Sequence, residues 1–329
     1  MMERRTFVQA GLAAGAAGFL PRSAGARPAP KPPFRISLAQ WSLHRTFYGT
    51  LGPGEDRVRL LRTDPDRALR GTAHPINFPV IARRDFGIAG VEYVNTFMFG
   101  HADDEAYLDE LNLRAAGEGV TNVLIMCDLE GALGDPDPAA RTTAVENHVR
   151  WLRAAAHLGC HAIRVNAQSR GDEAEQRRLA ADGLHRLAER AEPFGLHVIV
   201  ENHGGLSSRG DWLMATLREA DHPLLGTLPD FGNFALGNGE RYDAYRGVGE
   251  MMPMARAVSA KSYDFGPDGE EQRVDFHRMM RIVLDAGYDG WVGIEYEGDG
   301  LDEPAGIRAT KTLLERVQAD HQNGGRRDA

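Results

Sequence analysis

The chain is poor in cysteine. Only Cys127 and Cys160 occur in 329 residues. Both lie in or beside segments with strand character, so they read as buried free thiols. Positive charge is also short: 38 Lys and Arg face 47 Asp and Glu, a formal net charge of -9. An acidic chain is a poor candidate for nucleic acid or anionic membranes, whose phosphates need clustered Lys and Arg. No G-x-G-x-x-G sits between a strand and a helix, which removes a nucleotide-binding fold. The apolar run from Val8 to Leu20 is too short to span a bilayer, which takes about 20 residues. No stable membrane insertion is expected.

What remains is a globular composition able to fill the core of one large domain. The N-terminus reads as a targeting segment. Arg4-Arg5-Thr6-Phe7 precedes the Ala/Gly-rich run, and Ala24-Gly25-Ala26 fits a cleavage site. The paired arginines resemble a twin-arginine export signal, which implies a folded, exported, periplasmic protein. The expected division is a signal peptide over 1–26, a linker over 27–33, one domain over 34–320 and a flexible tail over 321–329.

The domain is organised around His197-Val198-Ile199-Val200-Glu201-Asn202-His203-Gly204-Gly205, a short apolar run that ends in an acid, an amide and a histidine. That reads as a buried parallel strand stopping at a polar site. The pattern recurs where Leu225–Pro229 meets Asp230, Ala257–Ala260 meets Lys261, and Trp291–Ile294 meets Glu295. Earlier strands are expected over 34–40, 90–95, 120–127 and 162–166, each followed by a helix or a helix-bearing loop. An irregular stretch from Thr46 to about Pro75 reads as a lid. Strict alternation over eight units predicts an α/β fold, a single-domain (β/α)8 TIM barrel, with the strand ends gathered at one mouth.

Three carboxylates around one point repel unless a cation neutralises them. Glu201, Asp230 and Glu295 are therefore candidate ligands for a divalent metal. Their oxygens favour Mn²⁺ or Mg²⁺, with Zn²⁺ or Co²⁺ as lesser alternatives. Lys261 is a candidate to stabilise negative charge on a substrate. His203, Glu92, Asn95, Arg164, Asn166 and Gln168 sit at or just past strand ends and could bind hydroxyls. Trp41 could form an apolar wall against a sugar face.

At this point the chain resembles the xylose-isomerase-like TIM barrels, the sugar phosphate isomerases/epimerases. The carrying motifs are Val200-Glu201-Asn202-His203, Pro229-Asp230-Phe231-Gly232-Asn233, Ser259-Ala260-Lys261-Ser262-Tyr263-Asp264 and Gly293-Ile294-Glu295-Tyr296-Glu297. The resemblance implies a metal-dependent enzyme that takes an α-proton from a hydroxy-ketone or keto-sugar through an enediolate. It also implies Glu201 and Glu295 as the acid/base pair and Asp230 as a ligand. Ser259 stands where the family usually supplies a histidine ligand, so Ser259 or His203 is left to complete the shell. Asn233 stands where some ketose epimerases carry a histidine.

The expected partner is a small carbohydrate, with a homo-oligomer as an open alternative. A lyase or dehydratase, working by β-elimination on a keto-sugar or 3-keto-glycoside, would use the same residues. A non-catalytic sugar-binding barrel is the second alternative. A DNA-repair endonuclease shares the fold, but its basic groove conflicts with the acidic charge.

Overall fold

Short β-branched runs bounded by glycine and polar residues form eight parallel strands, and the helices between them cover the outside. The structure is a computed structural model and describes residues 31–324. The expected signal peptide, the linker up to residue 30 and the tail from residue 325 lie outside the described residues. The barrel strands are β1 (Arg35–Ala39), β2 (Gly90–Val94), β3 (Thr121–Met126), β4 (Ala162–Asn166), β5 (His197–Glu201), β6 (Leu225–Leu228), β9 (Val258–Ser262) and β10 (Trp291–Tyr296). A small antiparallel hairpin, β7 (Ala235–Gly237) with β8 (Glu240–Arg241), interrupts the series.

Neighbours pair in the order β6-β5-β4-β3-β2-β1-β10-β9. The ring closes between β6 and β9. There Ser259 N donates to Pro229 O (2.9 Å) and Phe231 N donates to Ser259 O (3.1 Å). The seam therefore runs through the residues flanking Asp230. Register places Glu295 beside Lys261, Gly293 beside Ser259, and Asn166 beside Glu201.

The principal helices are those of an alternating barrel: Phe78–Phe86, Glu105–Gly117, Pro138–Leu158, Glu173–Ala191, Gly210–Ala220, Ala244–Met251, Phe276–Asp285 and Glu303–Gly324. Asp104, Asp172, Asp243 and Asp275 each accept a hydrogen bond from a first-turn N–H. Those acids are helix caps, worth ~1 kcal/mol apiece. Both cysteines are free and buried, as read. No described helix is long and apolar enough to cross a membrane.

Three boundaries differ from expectation. The stretch after Thr46 is not wholly irregular: Arg57–Thr63 and Pro65–Ala68 are short helices started by Asp56 and Asp64. In sequence, Glu240 to Met254 reads as one helix; the helix begins at Ala244, because Glu240 and Arg241 pair in the hairpin and Asp243 caps the first helical turn. The last helix runs through His321 to Gly324, past the expected start of the tail.

Candidate active site

Parallel strands buried on both faces still alternate, so every second side chain points into the barrel. At the C-terminal mouth those inward positions carry Arg164, Glu201, Ser259, Lys261 and Glu295, and Asp230 follows just beyond β6. All are at most 4% exposed. The strands that bear Glu201 and Glu295 lie three places apart around the ring, with Asp230, Ser259 and Lys261 on the strands between them.

The contacts form one chain across the mouth. Ser259 Oγ donates to Asp230 Oδ2 (2.7 Å) and lies 3.4 Å from Glu295 Oε2. Lys261 Nζ is 2.9 Å from Glu295 Oε1 and 3.9 Å from Asp230 Oδ2. Asn233 bridges onward: its Nδ2 donates to Glu201 Oε1 (2.7 Å), and its Oδ1 accepts from Lys261 Nζ (3.3 Å). Asp230 Oδ1 accepts from Gly232 N and Asn233 N, both at 2.8 Å, which locks the turn after β6. Arg164 lies between Glu201 and Asp128: its Nε is 2.8 Å from Glu201 Oε2, and its Nη1 donates to Asp128 Oδ1 at 2.8 Å. The pair with Glu201 is a charge contact without hydrogen-bond alignment, so Glu201 Oε2 is buried with no hydrogen bond.

Acids outnumber bases here. Among the described residues, Asp128, Glu201, Asp230, Glu295 and Glu297 pair with the cations of Arg164 and Lys261. Burial raises the Glu201 carboxyl, and Glu295 adds to it while Arg164 opposes. Burial likewise raises Asp230, against the pull of Lys261. Glu295 goes the other way: burial would raise it, but Lys261 beside it holds it below the usual range. Lys261 is itself raised, because its carboxylate neighbours outweigh burial.

The other sequence candidates divide. Trp41, Arg164, Asn166, Gln168 and His203 line one cavity of about 590 Å³ together with Glu295. Glu92 does not line it, and nor do Glu201, Asp230, Ser259 and Lys261. Glu92 Oε1 accepts from Ser37 Oγ (2.5 Å), and Glu92 packs against Gly293, where an added Cβ would meet its oxygens at 2.5 Å. Asn95 is turned to the loop after β3: its Nδ2 donates to Asp128 O, and its Oδ1 accepts from Asp128 N, both at 2.9 Å. It positions that loop.

Sequence reasoning passed over Asp128, Glu297 and the lid residues Arg57, Val58, Leu61 and Arg62, all of which line the cavity. Glu297 holds Trp41 Nε1 at 2.5 Å and lies 3.3 Å from Lys261 Nζ. Its position two residues beyond Glu295 was the available signal. Asp128 follows the third predicted strand in the same way.

Glu92 gives a direct check on the buried charge. Burial pushes its carboxyl up to about 8, and Glu295 and Glu201 add to the rise. Between the ordinary carboxyl value and about 8 the folded chain holds a proton that the unfolded chain releases. Stability contributed by this proton is present at low pH and lost as pH rises through that window, by up to ~1.4 kcal/mol per pH unit. Glu92→Gln is expected to flatten that slope. Urea midpoints taken between about pH 5 and pH 8 test it, and an unchanged slope would refute the assignment.

Comparison with known proteins agrees with this architecture. The family described as "Xylose isomerase-like TIM barrel" matches residues 81–317. The chain belongs to this family. Among solved structures it is similar to 3-keto-D-glucoside 4-epimerase from E. coli, with 16% identity, TM-score 0.61, and 86% of this chain and 99% of that one covered. It is also similar to an L-ribulose 3-epimerase, with 13% identity, TM-score 0.65, and 90% and 98% covered. A third is a xylose isomerase-like TIM barrel protein from Mycobacterium smegmatis in complex with magnesium, with 15% identity, TM-score 0.60, and 87% and 97% covered. At these identities the likeness carries the fold.

The donor set bears on whether a divalent ion fits. Among the described residues no three His, Cys, Asp or Glu side chains stand ready-gathered as a ligand group. Ser259, Asn233, Lys261 and Arg164 share the carboxylate oxygens instead. The chemistry nevertheless fits. The donors are hard oxygens, Glu201 Oε2 is buried and unbonded, and the acids exceed the cations.

Proposed function

We infer that this barrel is a sugar isomerase or epimerase working by α-proton abstraction on a keto-sugar or hydroxy-ketone. One observation carries the reading. Two buried carboxylates, Glu201 and Glu295, stand on separated strands at one mouth, linked through Asn233 and Lys261, with the Lys261 ammonium 2.9 Å from Glu295; burial raises the first carboxyl and Lys261 lowers the second. Pairs pushed apart in this way divide into acid and base.

Glu295, held ionised by Lys261, takes the proton on the carbon next to the substrate carbonyl. The C–H electron pair forms the C=C bond of an enediolate, and Lys261 offsets the charge on its oxygen. Glu201, which holds a proton more readily, returns one. Delivery to the opposite face of the same carbon gives an epimer; delivery to the neighbouring carbon, with a proton passing from one enediolate oxygen to the other, gives an isomer. Glu201, Asp230 and Glu295 would hold a divalent ion, with Ser259 Oγ as a neutral fourth oxygen. Such an ion supplies Lewis acidity that lowers the α-proton's pKa. The paired arginines of the leader support export, and an exported enzyme meets unphosphorylated sugars.

The test is incubation of the protein in deuterated water with a panel of ketoses and 3-keto-glycosides, with and without Mn²⁺. Deuterium gained beside the carbonyl with retention of all substituents is the expected result. Loss of a β-substituent would make the enzyme a lyase. Absence of exchange throughout, with sugars still bound, would leave a binding barrel. Calorimetric titration with Mn²⁺ reads the ion separately from turnover.

A further inference from the structure

The acidic centre occupies only one side of the cavity. It reaches the cavity through Glu295, with Glu201, Asp230, Ser259 and Lys261 buried behind the lining, whereas the cavity continues over β1, β2 and β3 under the lid. The lining changes character there. Val58 and Leu61 come from the lid, Cys127, Leu129 and Ala132 from the end of β3 and its loop, Val94 from β2, and Trp41 and Tyr48 from the segment after β1. At about 590 Å³ the whole space falls in the range that encloses drug-sized ligands, ~300–1,000 Å³. One sugar ring seated against Glu295 leaves the lid side to be filled.

Two features show that this side is built. Leu129 has φ 64, in the left-handed region that a branched side chain rarely adopts. The strain is held in place from both sides: Asn95 clasps the backbone of Asp128, and Asn147 Nδ2 donates to Glu130 O at 3.1 Å. Arg62 Nη2 from the lid donates to Leu129 O itself at 2.7 Å. The effect is to present a leucine to the cavity. Secondly, the lid's cations are already engaged. Arg57 donates to the carbonyls of Tyr48, Gly49 and Ala68 and lies 4.3 Å over the Tyr48 ring. Val58, although 46% exposed, lines the cavity as an apolar contact. The polar groups of this wall are also engaged: Tyr48 Oη donates to Thr96 Oγ1, His148 Nδ1 meets Ala144 O, Glu130 Oε1 accepts from Asn95, Arg150 and Trp151, and Asp128 Oδ1 accepts from Arg164 and Asn166. The hydroxyls of a second sugar ring would therefore compete with bonds already made. An apolar group meets no such loss.

We propose that the lid side is an aglycone subsite, and that the substrate is a keto-sugar carrying an apolar, aromatic substituent. This deepens the keto-sugar reading and rests on it. The substituent packs against Leu129, Val58 and Leu61 with Trp41 and Tyr48 at its edge, while the keto ring faces Glu295, with Glu201 behind the lining.

The test compares 3-keto-glucose, its methyl glycoside, its 4-nitrophenyl glycoside and a 3-keto-disaccharide, by calorimetric binding and by deuterium exchange. The nitrophenyl compound is expected to exceed 3-keto-glucose at least tenfold in binding and in exchange kcat/KM. Val58→Ser and Leu129→Gly are expected to bring that ratio towards one. The first variant alters an exposed lid position, so it reads out even if the second folds poorly. Equal handling of all four, a preference for the disaccharide, or a ratio untouched by Val58→Ser would overturn the proposal. If the nitrophenyl compound binds preferentially but no compound exchanges deuterium, the subsite stands and the proposed reaction falls. If none of the four binds, both fall.

Discussion

Glu295→Gln is expected to lower α-proton exchange by about 10²–10⁴-fold, the range for loss of a positioned acid or base. That corresponds to ~3–5.5 kcal/mol in the barrier. Glu201→Gln is expected to fall in the same range. Glutamine keeps the size of each side chain and an acceptor oxygen for Asn233 Nδ2 at position 201, so far-ultraviolet circular dichroism should change little, while Glu295→Gln, which removes the carboxylate 2.9 Å from Lys261 Nζ, is expected to lower the thermal midpoint. The double variant should be no worse than the poorer single, because two groups that serve one proton transfer do not add. The pH profile separates their roles. The base must be ionised, so rate falls as pH drops through the depressed value of Glu295. The acid must be protonated, so rate falls as pH rises through the raised value of Glu201. Glu201→Gln should therefore remove the alkaline limb. Exchange rates within threefold of the parent for either variant would defeat the acid/base assignment.

The strand ends were legible because burial and charge conflict in short sequence windows. Val198-Ile199-Val200 can only be core, so the Glu201 that follows has to be explained, and the same holds for Ile294 before Glu295. The links between these acids were not legible, because they depend on distant partners. Trp41 and Glu297 meet across most of the chain, and Asn233 links Glu201 to Lys261 only after the β6 turn has closed. Asp128 looked like a loop residue until Arg164 reached it from the next strand. The lid helices escaped for a different reason. Arg57–Thr63 and Pro65–Ala68 are too short to display a helical period, and their start signals, Asp56 and Asp64, resemble ordinary loop acids. Glu240 and Arg241, which read as the start of a helix, pair instead with Ala235–Gly237, a contact that local propensity does not report.

Lys261→Met is expected to destabilise the fold by ~3–5 kcal/mol near neutral pH, the usual cost of removing one partner from a buried charge set. Methionine keeps most of the apolar stem and deletes the ammonium. Glu295 then loses a partner at 2.9 Å, Glu297 one at 3.3 Å and Asp230 one at 3.9 Å. The pH dependence has a definite sign. In the parent, Lys261 holds Glu295 below the ordinary carboxyl value, so its contribution is present above that value and fades as pH falls through the depressed one. In the variant, buried carboxylates without a cation take up protons that the unfolded chain does not. The deficit should therefore be largest at about pH 8 and shrink towards about pH 4, as read from urea midpoints. Mn²⁺ should raise the melting temperature of the variant more than that of the parent, because a bound ion replaces the missing charge and stabilises by mass action. A variant as stable as the parent at about pH 8 would show that Lys261 is not the charge that lets these acids lie together.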